Sequence, residues 1–161
     1  MTKDITICLW FDHQAEEAAG FYTTVFKDSK ITGASRYGKE GFEIHRQKEG
    51  TVMTISFNIK GQSFTALNGG PLFKFNESVS FQVFCEDQKE IDYYWNQLTT
   101  GGGEEGQCGW LKDKFGVSWQ IIPDNLPALL SDPSKKGKVT TAFMQMKKLD
   151  IATLQRAADG R

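Results

Sequence analysis

A chain of 161 residues, 39% hydrophobic and 24% charged with a formal net charge of −1, has the balance of an ordinary water-exposed globular protein, one domain or two half-domains sharing a core. With 19 Lys and Arg against 20 Asp and Glu there is no basic footprint for nucleic acid or anionic lipid, and the apolar run at residues 5–11 is too short to cross a membrane and lacks the marks of a signal peptide. Three cysteines, Cys8, Cys85 and Cys108, stand far apart with no CxxC pair, which implies reduced thiols and a cytoplasmic protein.

Residues 5–11 alternate like a strand, bend through a polar stretch, and pass into a helix in which Ala15, Ala18, Ala19, Tyr22 and Phe26 recur at three-to-four spacing. Strand-length segments follow at 30–37, 52–59 and 63–67, punctuated by Gly33, Gly38, Gly41, Gly50 and Gly61. His13 falls in the polar bend, and His45 in what reads as an edge strand or loop. Neither has a second His near it in the chain and there is no HExxH pattern, so both read as bystanders.

After a linker at 68–78 the plan repeats 74 positions on: Ile5 matches Val79, Ile7 Phe81, Leu9 Val83, Gln14 Gln88, Glu16 Glu90 and Phe21 Trp95. Strand, bend and helix recur in phase, which predicts two copies of one unit, each a helix laid on a small, mostly antiparallel sheet. The glycines of residues 99–106 follow a helix and lead into a strand, so they cap and reverse the chain rather than cradle a nucleotide. Two strands then flank a turn at 114–116. In the second, Val117, Trp119 and Ile121 point one way and Ser118, Gln120 and Ile122 the other, so the amide in the middle faces either water or a site.

The tail predicts a short helix at 124–130 with Asp124 as its cap, a break at 131–138, and further helix carrying Val139, Ala142, Phe143 and Met146, then Ile151 and Leu154. Left uncovered, the stripe Val139, Phe143, Met146 would be an apolar patch, which argues for a homodimer. There is no GxSxG elbow, and Cys108 has no His close in sequence, so nucleophilic catalysis finds no support.

Four stretches, "LWFDHQAEEAAGFYTTVFKDSKI", "LNGGPLFKFNESVSFQV", "CGWLKDKFGVSWQIIP" and "MQMKKLDIATLQRA", resemble in order the PhnB-like branch of the vicinal oxygen chelate superfamily, the glyoxalase and bleomycin-resistance fold, over residues 5–157. Members of that branch often carry the name 3-demethylubiquinone-9 3-methyltransferase. The resemblance implies an α+β fold of paired βαβββ modules forming curved sheets, commonly in a homodimer. Here it gives a single domain over 1–161, with modules at about 4–70 and 78–123 and a helical tail at about 124–161.

In metal-using relatives, side chains on facing strands hold one divalent ion that polarises substrate oxygens. Their closing acid usually lies four residues past the last turn glycine, a place that Gln120 takes here. A metal set, if present, would be Cys8, Gln82 and Gln120, for zinc, iron, nickel or manganese. Two neutral amides and a thiol form a weak set, because Cys8 would have to lose its proton. A binding cavity is the stronger reading: Ser118, Gln120, Ile122, Trp110 and Cys108 from the second module with Gln82, and Asn58 on the polar face of residues 52–59 beside Thr54 and Ser56. Asn68 would close the first module at the position matching Gln120. Trp10, Trp95 and Trp119 read as core anchors, while for Trp110 core and cavity stay open.

The expected function is therefore binding of a small organic ligand without an assigned reaction. The alternatives are a metal-dependent lyase, isomerase or dioxygenase-like enzyme and, least supported by the residues, methyl transfer.

Overall fold

In the first unit, β1 (Ile7–Phe11) leads into α1 (Ala15–Val25), whose Ala15, Ala18, Ala19, Tyr22 and Val25 form one buried face at helical spacing. The computed structural model describes residues 5–161 and divides into two units, 1–75 and 76–161. After α1 come β2 (Lys30–Arg36), a one-turn α2 (Phe42–His45), β3 (Val52–Ile59) and β4 (Gln62–Asn68). The sheet order is β1-β4-β3-β2, with β1 parallel to β4 and the other pairs antiparallel.

Alternation along these strands sends Leu9, Phe11, Ile55, Phe57, Phe64 and Ala66 to one buried side. Tyr22 of α1 stacks on Phe57, which stacks on Phe64. Lys60 and Gly61, at φ 48° and 86°, make the two-residue turn between β3 and β4. Left-handed φ at both positions matches the right-handed twist of a tight hairpin, and glycine takes the second at no steric cost. His45, expected in an edge strand or loop, instead ends α2, a single helical turn bounded by left-handed backbone at Gly41 and Arg46.

The second unit repeats the plan with β5 (Phe81–Cys85), α3 (Gln88–Thr99), β6 (Glu104–Glu105), β7 (Trp110–Lys112) and β8 (Ser118–Pro123), in the order β5-β8-β7-β6. Again the outer pair, β5 with β8, is parallel and the rest antiparallel. Asp87 caps α3 by accepting from the Glu90 N–H. The turn before β8 is organised by buried Asp113, whose carboxylate accepts from the Phe115 and Val117 N–H groups and the Trp119 indole. Trp95 and Trp119 are buried, whereas Trp10 is half-buried with its indole N–H on the Gly70 carbonyl.

The tail forms α4 (Leu126–Ser131), α5 (Lys136–Phe143) and α6 (Ile151–Asp159). Asp124 does not cap α4: Asn125 precedes the helix without a side-chain bond, Pro127 sits in its first turn, and the Asp124 N–H extends the sheet by donating to Cys85. The stripe argued above to need a partner subunit is covered within the unit. Val139 is fully buried with Ile122, Leu126, Leu129, Leu149 and Leu154, and Phe143 and Met146 pack against that cluster.

Candidate functional site

The second sheet has one face on α3, carrying Val83, Cys85, Leu111, Trp119 and Ile121, and one turned away from it. Register fixes the second face: Gln82 lies opposite Gln120, Trp110 opposite Gln120 on the other side, and Lys112 opposite Ser118. The Gln82 amide donates to Gln120 Oε1 at 3.3 Å, and the Gln120 amide donates to Ser80 Oγ at 2.8 Å.

Beside the paired amides opens a cavity of about 310 Å³. Gln82, Gln120 and Cys108 supply its polar atoms, while Phe84 and Ile122 of the sheet and Leu126, Pro127, Leu130 and Phe143 of the tail supply an apolar wall. Cys108 reaches it from left-handed backbone at φ 58°, pinned where its N–H donates to the Met146 carbonyl at 2.7 Å and the next N–H, of Gly109, to Lys147 at 2.8 Å. Its Sγ lies 3.8 Å from Met144 Sδ.

The other sequence-predicted residues fall elsewhere. Ser118 and Trp110 line a second, smaller cavity of about 160 Å³ with Glu77, Glu104 and Lys112. Ser118 is 1% exposed and its hydroxyl has no hydrogen-bond partner. In the first unit Asn58 is half-buried on the polar side of β3, opposite Ser63 and Lys30. Asn68 is buried toward α1, where its Oδ1 accepts from the Ala15 N–H at 2.8 Å and its amide donates to the Val52 carbonyl at 3.0 Å. With Ile7 opposite Phe64 and Phe81 opposite Trp119, the place matching Gln120 is Thr65, not Asn68.

Phe84 was missed although it stands two residues past Gln82 on the same strand face, and alternation alone places it there. The tail residues carried no such signal, since a helical stripe does not say which surface it covers.

A divalent ion fits the expected set poorly. Cys8 is in the first unit, opposite Thr65, and the burial it does experience pushes its thiol pKa up, against the thiolate a metal needs. The Gln82 and Gln120 amides are already bonded to each other and to Ser80, and no group of three His, Cys, Asp or Glu side chains converges among the described residues.

Comparison with solved structures returns a PhnB protein from Bacillus cereus that bears the provisional description 3-demethylubiquinone-9 3-methyltransferase, at 36% identity and TM-score 0.65, covering 75% of this chain and 99% of that one. Protein PA1353 from Pseudomonas aeruginosa follows at 16% identity and TM-score 0.60, covering 76% and 98%. A variant of the fosfomycin resistance protein FosX from Listeria monocytogenes, complexed with Mn(II) and 1S,2S-dihydroxypropylphosphonic acid, aligns at 16% identity and TM-score 0.53, covering 81% and 98%. The last two likenesses show the fold alone. Among curated proteins none matches the chain significantly. The family model described as 3-demethylubiquinone-9 3-methyltransferase matches residues 3–122, so the chain belongs to that PhnB-like family.

Proposed function

We propose that the second unit binds a small, partly apolar organic molecule in the cavity beside Gln82 and Gln120. One observation carries this reading: an apolar wall of Phe84, Ile122, Leu126 and Phe143 meets a sheet face whose polar groups there are two amides and a thiol. Such a pocket recognises an apolar body by burial and a carbonyl, amide or hydroxyl group by hydrogen bonds. Neutral amides neither relay protons at neutral pH nor attack carbon, so what Gln82 and Gln120 contribute is recognition. The methyl transfer in the family's description draws no support from these residues, which form no glycine-rich strand-to-helix turn for a nucleotide-like cofactor.

The test is native mass spectrometry of freshly isolated protein, followed by binding of the released small molecule to Gln120→Leu. We expect a non-covalent organic adduct, and roughly five- to tenfold weaker binding for the variant, the worth of about one lost hydrogen bond. Undiminished binding to Gln120→Leu would place the ligand elsewhere. Stoichiometric zinc, iron, nickel or manganese, lost in Gln120→Ala, would replace this reading with the metal-dependent enzyme.

A cytoplasmic homodimer completes the proposal. The cytoplasmic part rests on three free thiols, together with the fact that no helix among the described residues is long and apolar enough to cross a membrane. The dimer rests on large apolar side chains in water, among them Leu72 at 74% and Val79 at 67% exposed.

A further inference from the structure

The smaller cavity of the second unit poses a separate question, since a buried hydroxyl without a partner costs free energy and a fold seldom retains one without cause. Ser118 is that hydroxyl, and it lines the cavity. Around it the sheet register sets a charged row, with Glu104 opposite Lys112 and Lys112 opposite Ser118, and Trp110 is two residues before Lys112. Glu77 closes the row through its ion pair with Lys112.

The charges do not balance. Glu77 is committed to Lys112, and Glu105 to the Trp95 indole at 2.8 Å and the Lys147 ammonium at 3.9 Å. That leaves Glu104 attracted to Lys112 across the strands but with no ammonium of its own, so the cavity lining carries a net negative charge. Gly106 keeps the wall thin: a Cβ there would meet the Trp110 carbonyl at 2.8 Å, so β6 could not lie this close to β7.

From the unpartnered Ser118 hydroxyl, the surplus carboxylate of Glu104 and the adjacent Trp110 ring, we infer that this cavity is a binding site for the primary ammonium group of a small organic amine. An ammonium has three N–H donors, which match the Glu104 carboxylate, the Ser118 hydroxyl and a further lone pair of the Glu77 carboxylate, and an indole beside it adds a cation–π attraction. A hard divalent cation wants six or more oxygens, far beyond one surplus carboxylate and a hydroxyl. An anion would have to take Lys112 from Glu77 and lie beside Glu104. The cavity's volume of about 160 Å³ admits a head group and a few carbons. The site is independent of the larger cavity and of any ligand held there.

Titration of the full-length protein with n-butylammonium chloride at constant ionic strength tests this, read by amide 15N–1H shifts at Gly106, Trp110 and Ser118. We expect saturable shifts in the millimolar range and little response to butan-1-ol or sodium butyrate. Glu104→Gln should weaken the affinity by roughly two- to fivefold, and Ser118→Ala, which cannot accept from the ammonium, by roughly threefold or more. Since Glu104 is exposed, its variant tests charge without threatening the fold. Equal shifts with butan-1-ol would mark an apolar hollow, and stronger binding of butyrate would mark a Lys112 anion site. Either result overturns the inference, as does an unchanged affinity in Glu104→Gln or no saturable shift by about 50 mM, where a millimolar site is filled.

Discussion

Asn68 spends its whole side chain on backbone groups of the first unit, its oxygen on the start of α1 and its nitrogen on β3, while its own carbonyl accepts from the Tyr37 hydroxyl at 2.6 Å. Asn68→Ala strands a buried N–H and a buried C=O, and should lower unfolding free energy by about 2 to 3 kcal/mol in urea titrations. Ser118→Ala should do the opposite in ligand-free protein. It removes a buried hydroxyl that bonds nothing, and a gain of about 1 kcal/mol is expected by the same titration. Both residues read from sequence as polar side chains on strands with a possible role in a cavity. Alternation told which residues share a face with Gln120, but not that Asn68 sits at the place matching Pro123, on the helix side. What separates a structural amide from a binding one is the partner it meets across the fold, and for Asn68 those partners lie 53 and 16 residues away.

At the scale of elements, the tail is fastened to α3 by polar contacts as well as by its apolar cluster. Gln88 donates to the Leu149 carbonyl at 3.1 Å and accepts from the Ile151 N–H at 2.9 Å, and Lys148 pairs with Asp92. Asp150 caps α6 through the Thr153 N–H. Lys148 and then Gln88 hold the Asp92 carboxyl below its ordinary 3.8, and the Thr153 side chain and backbone N–H do the same for Asp150. A carboxyl with a depressed folded pKa contributes stability above its unfolded value and loses it as pH falls through the folded one. The tail should therefore keep constant protection at neutral pH and loosen only as pH drops below 3.8, seen as faster amide exchange across Ile151–Asp159 before the sheets are affected. Gln88→Ala should shrink the stabilisation that Asp92 supplies at neutral pH and also remove the bonds to Leu149 and Ile151, so exchange across Ile151–Asp159 should already be faster at neutral pH. Periodicity located α1, β3, α4 and α6, because each carries its own buried stripe, whereas α5 starts at Lys136, inside the break expected at 131–138, and ends at Phe143, short of Met146. It could not locate α2, which rests on left-handed turns at Gly41 and Arg46, or the surface that covers Val139, which is made by residues before and after it in the chain.

At the scale of the whole molecule the duplication is plain in the strand orders, β1-β4-β3-β2 and β5-β8-β7-β6, and in registers that keep the 74-residue offset of Ile7 with Phe81. This much was legible because a repeat needs only the sequence compared with itself. The candidate site was legible in part: Gln82, Gln120 and Cys108 line one cavity together with residues of the tail, while Ser118 and Trp110 line another. Sedimentation equilibrium at micromolar concentration should give about twice the 18.1 kDa chain mass, and a stable species at the single-chain mass would remove the homodimer.

In both units the first strand made is an edge strand that touches only the last one made, β1 against β4 and β5 against β8. During synthesis, then, a ribosome that has released β1, α1, β2 and β3 has released a strand with nowhere to bond until residues 62–68 emerge. A nascent chain stalled in that interval carries an unsatisfied, aggregation-prone ribbon for chaperones to shield, and the same exposure returns a second time before residues 118–123 appear.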